Sequence, residues 1–174
     1  MDRRDRLRRM GLLCLHCLRN LAFFRATTEY RAAWEREQFW VAAHNNFLDV
    51  AVLEWCKVYG DPRAKHHWQK VVRDSASFME QLTAHLRITE AMFVEYIGEM
   101  RVYRDKFIAH LDDGNQMDIP NLSIAIKSAQ FLYQWLLENE DDCDAYHGEV
   151  ANSVTYFRRL YAEAQQLHTA RSVD

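Results

Sequence analysis

Two polar side chains interrupt an apolar helix face and are the strongest candidates for chemistry. On an α-helical wheel of residues 90–113, one apolar series is Phe93, Ile97, Met100, Phe107, Leu111. Arg104 falls inside this series and His110 falls at its edge. The planar guanidinium of an arginine suits phosphate, and a histidine near a helix C-terminus is favoured in its proton-donating form. The pair therefore predicts a site for an anionic ligand.

Three interpretations of Arg104 remain open, because arginine is rarely buried without a partner. It pairs with an internal carboxylate such as Asp49, or extends its guanidinium past the helix packing, or lines a cleft that is open to an anion. His110 alone would indicate only a packed, hydrogen-bonded residue. The two Cα atoms lie about 9 Å apart along a helix axis, a gap that a long arginine side chain can largely close.

The elements that must position these residues are all predicted to be helical. Helix-breaking residues are few, with five glycines and two prolines. No segment alternates between apolar and polar residues with the period of a strand. The predicted helices span about 4–26, 28–59, 74–86, 89–111, 120–139 and 146–167, with one further turn near 66–68. We expect an all-α, up-and-down bundle of four to five long helices plus short ones, forming one domain over residues 1–174.

The second predicted helix is apolar around most of its circumference, which is typical of a central, covered helix. His44, Asn45, Asn46 and Asp49 lie within it. Those that are buried must be hydrogen-bonded, so they belong to a structural network or to a site.

Charge is distributed unevenly along the chain, although its net value is only -3. Residues 1–31 are rich in arginine, whereas residues 138–149 are acidic and contain no lysine or arginine. The net charge excludes a generally basic nucleic-acid binder. The two segments are either solvated surfaces or, for the first, a patch that meets phosphate.

The cysteines predict neither a metal site nor disulfides. Cys14 and Cys17 have metal-like spacing, but no second such pair completes a tetrahedral site, and their run is apolar. We expect no metal, no cofactor and a reducing, cytoplasmic location. Residues 10–24 are too short and too polar to span a membrane.

The segment Tyr103-Arg104-Asp105-Lys106-Phe107-Ile108-Ala109-His110 resembles the motif of the HEPN superfamily (higher eukaryote and prokaryote nucleotide-binding domains). That motif is an arginine, commonly followed by a polar residue, and then a histidine after four to six positions. The sequence of this segment is most similar to the HEPN branch that is associated with U-type bacterial abortive-infection systems. Fragments at 46–49, 66–68 and 119–120 extend the likeness over about residues 39–135.

The resemblance implies a metal-independent endoribonuclease, a toxin or phage-defence effector that acts as a homodimer across a cleft, with an antitoxin protein as a further partner. RNA supplies its own nucleophile, so Arg104 would stabilise phosphoryl charge and His110 would act as general base or acid. Asp105 would orient one of them. Tyr103 and Lys106 are candidates for substrate contact, and Asn46 for support from the neighbouring helix.

Two alternatives stand beside this interpretation. The first is a non-catalytic HEPN-like module that binds a nucleotide or a partner protein. The second is a structural or regulatory bundle in which Arg104 belongs to an internal ion pair, so that removing it would cost about 3–5 kcal/mol.

Overall fold

Helices account for every regular element in the computed structural model, which describes residues 2–109, 118–146 and 150–171. The seven α-helices in these ranges are α1 Arg3–Glu29, α2 Arg31–Trp34, α3 Gln38–Tyr59, α4 Ser75–Leu86, α5 Glu90–Tyr103, α6 Leu122–Trp135 and α7 Ser153–Arg171. A π-helical turn, Arg104–Ala109, continues α5, and a second, Leu136–Glu140, continues α6. The chain is an all-α helical bundle, as predicted.

The central helix of the bundle is α1, which packs against α3, α6 and α7. The prediction that the second long helix would be the enclosed one is wrong. The buried residues of α3 begin only at Leu48, and Phe39 near its start is 75% exposed. The apolar residues at the start of α3 instead line an open groove. In the described residues, no helix is both long and apolar enough to cross a bilayer.

The predicted helix over residues 28–59 is divided in the structure. α1 runs on to Glu29, the short α2 follows, and α3 begins at Gln38. The indole of Trp34 donates to the carbonyl of Thr27 at 2.8 Å, which folds the chain back between the two long helices. Because neither glycine nor proline lies between residues 29 and 38, the sequence carries no ordinary break signal there.

Side-chain caps define several of the other helix starts. Asp74 caps α4 and Thr89 caps α5, and both match the prediction. Pro120 was expected inside the first turn of its helix, but it precedes the cap, which is Asn121. The last helix begins at Ser153 and not near residue 146, because Tyr146 packs on the core and donates to the carbonyl of Leu7.

One glycine of α1 permits that contact. A Cβ placed on Gly11 would collide with the ring of Tyr146, whose hydroxyl reaches the carbonyl of Leu7 one turn earlier in the helix. The same ring meets Tyr133 edge-on, with centroids 5.9 Å apart. The closeness of α1 to the segment around Tyr146 therefore depends on a missing side chain.

An aromatic cluster fixes α5, which leads to the candidate site, against α3 and α6. Trp55 lies edge-on to Phe93 and Tyr96, with centroids 6.3 and 5.4 Å away. Its indole donates to the hydroxyl of Ser128 on α6 at 2.9 Å. Three helices thus contact one buried, hydrogen-bonded indole. These contacts fix the position of α5, whose C-terminal end leads to the candidate site.

The arginine-rich start and the acidic segment meet each other. Glu140 is 2% exposed and accepts from Arg3 Nη2 at 2.7 Å and from the backbone N–H of Arg73 at 2.8 Å. Arg3 and Arg73 also both bind Asp142. The two charged segments thus neutralise each other at Arg3, whereas Arg4, Arg6, Arg8 and Arg9 of the first segment are exposed.

Candidate functional site

Arg104 lies where α5 changes into the π-helical turn Arg104–Ala109. Its side chain is 25% exposed, although it belongs to the apolar series of the wheel. One carboxylate oxygen of Asp105 accepts from both Nε and Nη2 at 2.7 Å. Asp105 itself is 53% exposed, so the ion pair is open to solvent. Short π-helical turns are rare and occur often at functional sites.

The internal ion pair with Asp49 is not formed. Asp49 is partly buried, and its burial raises the pKa of its carboxyl. It affects Tyr103, whose pKa is raised to about 12, first by burial and then by the charge of Asp49. The carboxylate that holds Arg104 is the adjacent residue in the chain.

A groove of about 580 Å³ runs beside this turn and has Tyr103 and Lys106 in its wall. Tyr103 is only 1% exposed, so little more than its edge is available to a ligand, whereas Lys106 is exposed. Glu99 and Asp118 also line the groove. The groove is therefore mixed in charge, with one lysine beside two carboxylates.

The structure brings some of the predicted site residues together and leaves others apart. Tyr103, Arg104, Asp105 and Lys106 follow one another at the start of the turn. Asn46 is exposed on α3, which packs against the turn, and it forms no hydrogen bond with a described residue. His110 lies outside the described residues, as does the expected end of its helix near residue 111.

Charges from several segments act on residues along and just beyond the C-terminal half of α3. Burial raises the pKa of the Cys56 thiol to about 11, and the charge of Arg104 opposes that shift. At the far end of α3, the pKa of His66 is lowered by burial and then by Arg9, Lys65 and Lys57. The arginine-rich first helix thus contributes one cation, Arg9, to this region. The hydropathy pattern of one helix does not indicate which charged residues other segments bring close to it, so this arrangement was not predicted.

The cysteines form part of the core. Cys14, Cys17 and Cys56 are all buried, and burial raises the pKa of Cys14 to about 12. Their thiols are therefore protonated at neutral pH. Within the described ranges, no three or more His, Cys, Asp or Glu side chains are grouped as metal ligands.

A second groove, of about 260 Å³, lies between α1, α3 and α7 and has aromatic walls. Sequence reasoning missed it, because its aromatic residues were all assigned to the core. Comparison with known proteins adds no assignment: no family model, curated protein or solved structure matches this chain.

Proposed function

We propose that the protein is a metal-independent endoribonuclease of the HEPN type, with Arg104 and His110 as its catalytic pair. The observation that supports this proposal is the environment of the Arg104 side chain. It lies at a π-helical turn, remains one-quarter exposed and, among the residues that the structure describes, is held by the neighbouring, solvent-open carboxylate of Asp105. A phosphate could exchange with that carboxylate without uncovering the core.

The chemistry needs no metal-bound water, because RNA carries a nucleophile. The 2′-oxygen attacks the adjacent phosphorus and loses its proton to a base, and the P–O5′ bond breaks as the 5′-oxygen takes up a proton. The products are a 2′,3′-cyclic phosphate and a 5′-hydroxyl. Arg104 stabilises the charge on the phosphoryl oxygens, and His110 transfers one of the two protons.

A homodimer would complete this scheme, since one histidine cannot readily act as base and acid in the same step. Two Arg104–His110 pairs across a shared cleft would supply both groups. We further propose a cytoplasmic toxin or phage-defence effector that is restrained by an antitoxin protein. Asp105 serves to orient Arg104 until substrate arrives, and Lys106 contacts the RNA backbone.

A second candidate, a non-catalytic module for a nucleotide or a partner protein, is favoured by the charges in the groove. Glu99 and Asp118 stand beside Lys106 and oppose a long polyanion. A small anionic ligand would experience less of this repulsion than a long polyanion. This candidate predicts binding without cleavage.

Purified protein should be incubated with single-stranded RNA and with the DNA of the same sequence, in EDTA. We expect cleavage of the RNA alone. Arg104→Ala and His110→Ala should each lower the rate by at least about 100-fold. Arg101→Ala, which removes the same charge one turn earlier from an exposed position, is the matched control and should stay within about threefold.

Full activity in either Arg104→Ala or His110→Ala would overturn the catalytic assignment. If the wild-type protein cleaves nothing, fluorescence anisotropy with labelled RNA and nucleotides separates the two candidates. Binding that is lost in Arg104→Ala supports the non-catalytic module, and an absence of binding excludes both.

A further inference from the structure

The aromatic groove between α1, α3 and α7 is separate from the residues proposed for RNA cleavage. Phe23 contributes from α1, Phe39, Trp40 and Phe47 from α3, and α7 closes the third side. The remaining wall is aliphatic except for two residues, Thr27 and Glu163. Four aromatic rings thus surround a space of about 260 Å³.

The rings of this groove stand at angles to one another and do not form a flat stack. Phe23 and Phe47 are tilted by 60° with centroids 5.3 Å apart, and Phe39 meets Trp40 at 84° with centroids 5.5 Å apart. Phe39 is 75% exposed. All four rings line one space, and the electron-rich face of an aromatic ring attracts cations.

Of the two polar residues that line the groove, Thr27 and Glu163, only Glu163 is available to bind a ligand. The hydroxyl of Thr27 lies 2.9 and 3.0 Å from the carbonyl oxygens of Phe23 and Phe24, and 2.7 Å from Nδ1 of His44. It is therefore fully engaged within the fold. Glu163 is exposed and forms no hydrogen bond or ion pair with any residue in the described ranges. A ligand can use the charge of Glu163 but finds little else to hydrogen-bond.

Behind the groove wall, the imidazole of His44 lies 2.7 Å from the hydroxyl of the lining residue Thr27. His44 is stacked between Phe24 and Trp34, with centroids 4.4 and 4.7 Å away. Burial, and then the charge of Arg31, lower the pKa of His44 to about 4. Its imidazole is neutral at pH 7, so it does not repel a cation from the groove.

We infer that this groove binds an organic cation with methyl or alkyl groups, such as a quaternary ammonium, between the aromatic rings and the carboxylate of Glu163. A small hydrated cation would lose its water to an apolar wall, and an anion would meet Glu163. A neutral apolar ligand would gain nothing from the carboxylate. An alkylated ammonium matches both the rings and the charge.

Isothermal titration calorimetry with choline tests the inference, and 3,3-dimethyl-1-butanol serves as the neutral isostere. We expect choline to bind at least about tenfold more tightly than the alcohol, because only choline gains cation–π and ionic contacts. Equal affinities would overturn the inference and leave a plain apolar groove. Binding of neither probe, by calorimetry and by saturation-transfer NMR, would also overturn it.

Two substitutions locate the binding. Glu163→Gln keeps the shape of the groove and should weaken choline binding by about three- to tenfold, as should Phe39→Leu, which removes an exposed ring. Glu95→Gln, on the exposed face of α5, is the matched control and should leave affinity unchanged. Unchanged affinity in both groove variants, with wild-type circular dichroism, would contradict the assignment.

Discussion

The chain contains two arginine–carboxylate arrangements that differ in almost every physical respect. Arg104 is paired with Asp105, its neighbour in sequence, in a contact that solvent reaches. Arg3 and Arg73 converge instead on Glu140, a carboxylate that is 2% exposed and comes from a distant segment. The first arrangement constrains no long-range packing, whereas the second joins three parts of the chain.

The difference indicates which arginine can be used for ligand binding. Glu140 also accepts from the indole of Trp135 at 3.4 Å, so its removal would strand several donors. In the described part of the chain, Asp105 forms an ion pair with Arg104 alone. An arginine that is held by a distant, buried carboxylate is committed to the fold, whereas Arg104 can exchange its partner for a phosphate at little structural cost.

Breaking the buried arrangement should have the largest effect. Glu140→Ala removes the carboxylate that accepts from the Arg73 N–H and the Trp135 indole, and one of the two carboxylates that bind Arg3, and should lower the free energy of unfolding by about 3 kcal/mol. Urea unfolding followed by circular dichroism measures this loss. Glu138→Ala, an exposed acid in the same turn, is the control. A loss below about 1 kcal/mol for Glu140→Ala would remove the contrast between the two arrangements.

Acid should weaken the buried arrangement through Asp142. Hydrogen bonds from Arg73, and then from Arg3, hold the pKa of the Asp142 carboxyl below its usual value of about 3.9. Because the folded pKa is the lower one, the stabilisation is complete above pH 4 and is lost as pH falls through the folded pKa. Asp142→Asn should therefore be less stable than wild type at pH 7, and the difference should be smaller at pH 2, as measured by urea unfolding. A constant difference at both pH values would contradict the role of its charge.

The smallest effect on stability is expected at the candidate site. Arg104→Ala should lower the free energy of unfolding by less than about 1 kcal/mol, since its ion pair is open to solvent. Thermal unfolding of this variant beside Arg104→Lys separates the loss of charge from the loss of the side-chain stem. A decrease of about 3 kcal/mol or more in the free energy of unfolding would indicate that Arg104 has a structural role, as Arg3 does.

The fold was largely readable from hydrophobic periodicity and capping residues, and the long helices lie near their predicted ranges. The break before α3 was not readable, because it depends on Trp34 bonding back to Thr27 and on no local signal. The arrangement of helices also escaped prediction. α3 has the more continuous apolar run, yet α1 is the covered helix, since the aromatic residues of α3 line a groove.

The candidate site was predicted only in part, for a geometrical reason. A wheel at 100° per residue assumes an α-helix throughout, but from Arg104 the backbone follows a wider π-helical turn. Angular positions beyond Arg104 therefore do not follow from that wheel, and the predicted position of His110 stays a prediction. The charges of Arg9 and Lys65 act on His66 and not on a residue of the candidate site, and tertiary packing alone brings Arg9 to that region.

The contact between Gly11 and Tyr146 limits how this sequence can vary. Position 11 cannot accommodate even alanine, because its methyl group would clash with the ring of Tyr146. A larger residue at position 11 would have to be accompanied by a smaller one at position 146, which would also forgo the hydroxyl contact with Leu7. Position 11 is therefore free to change only if position 146 changes as well, although the two lie 135 positions apart in the chain.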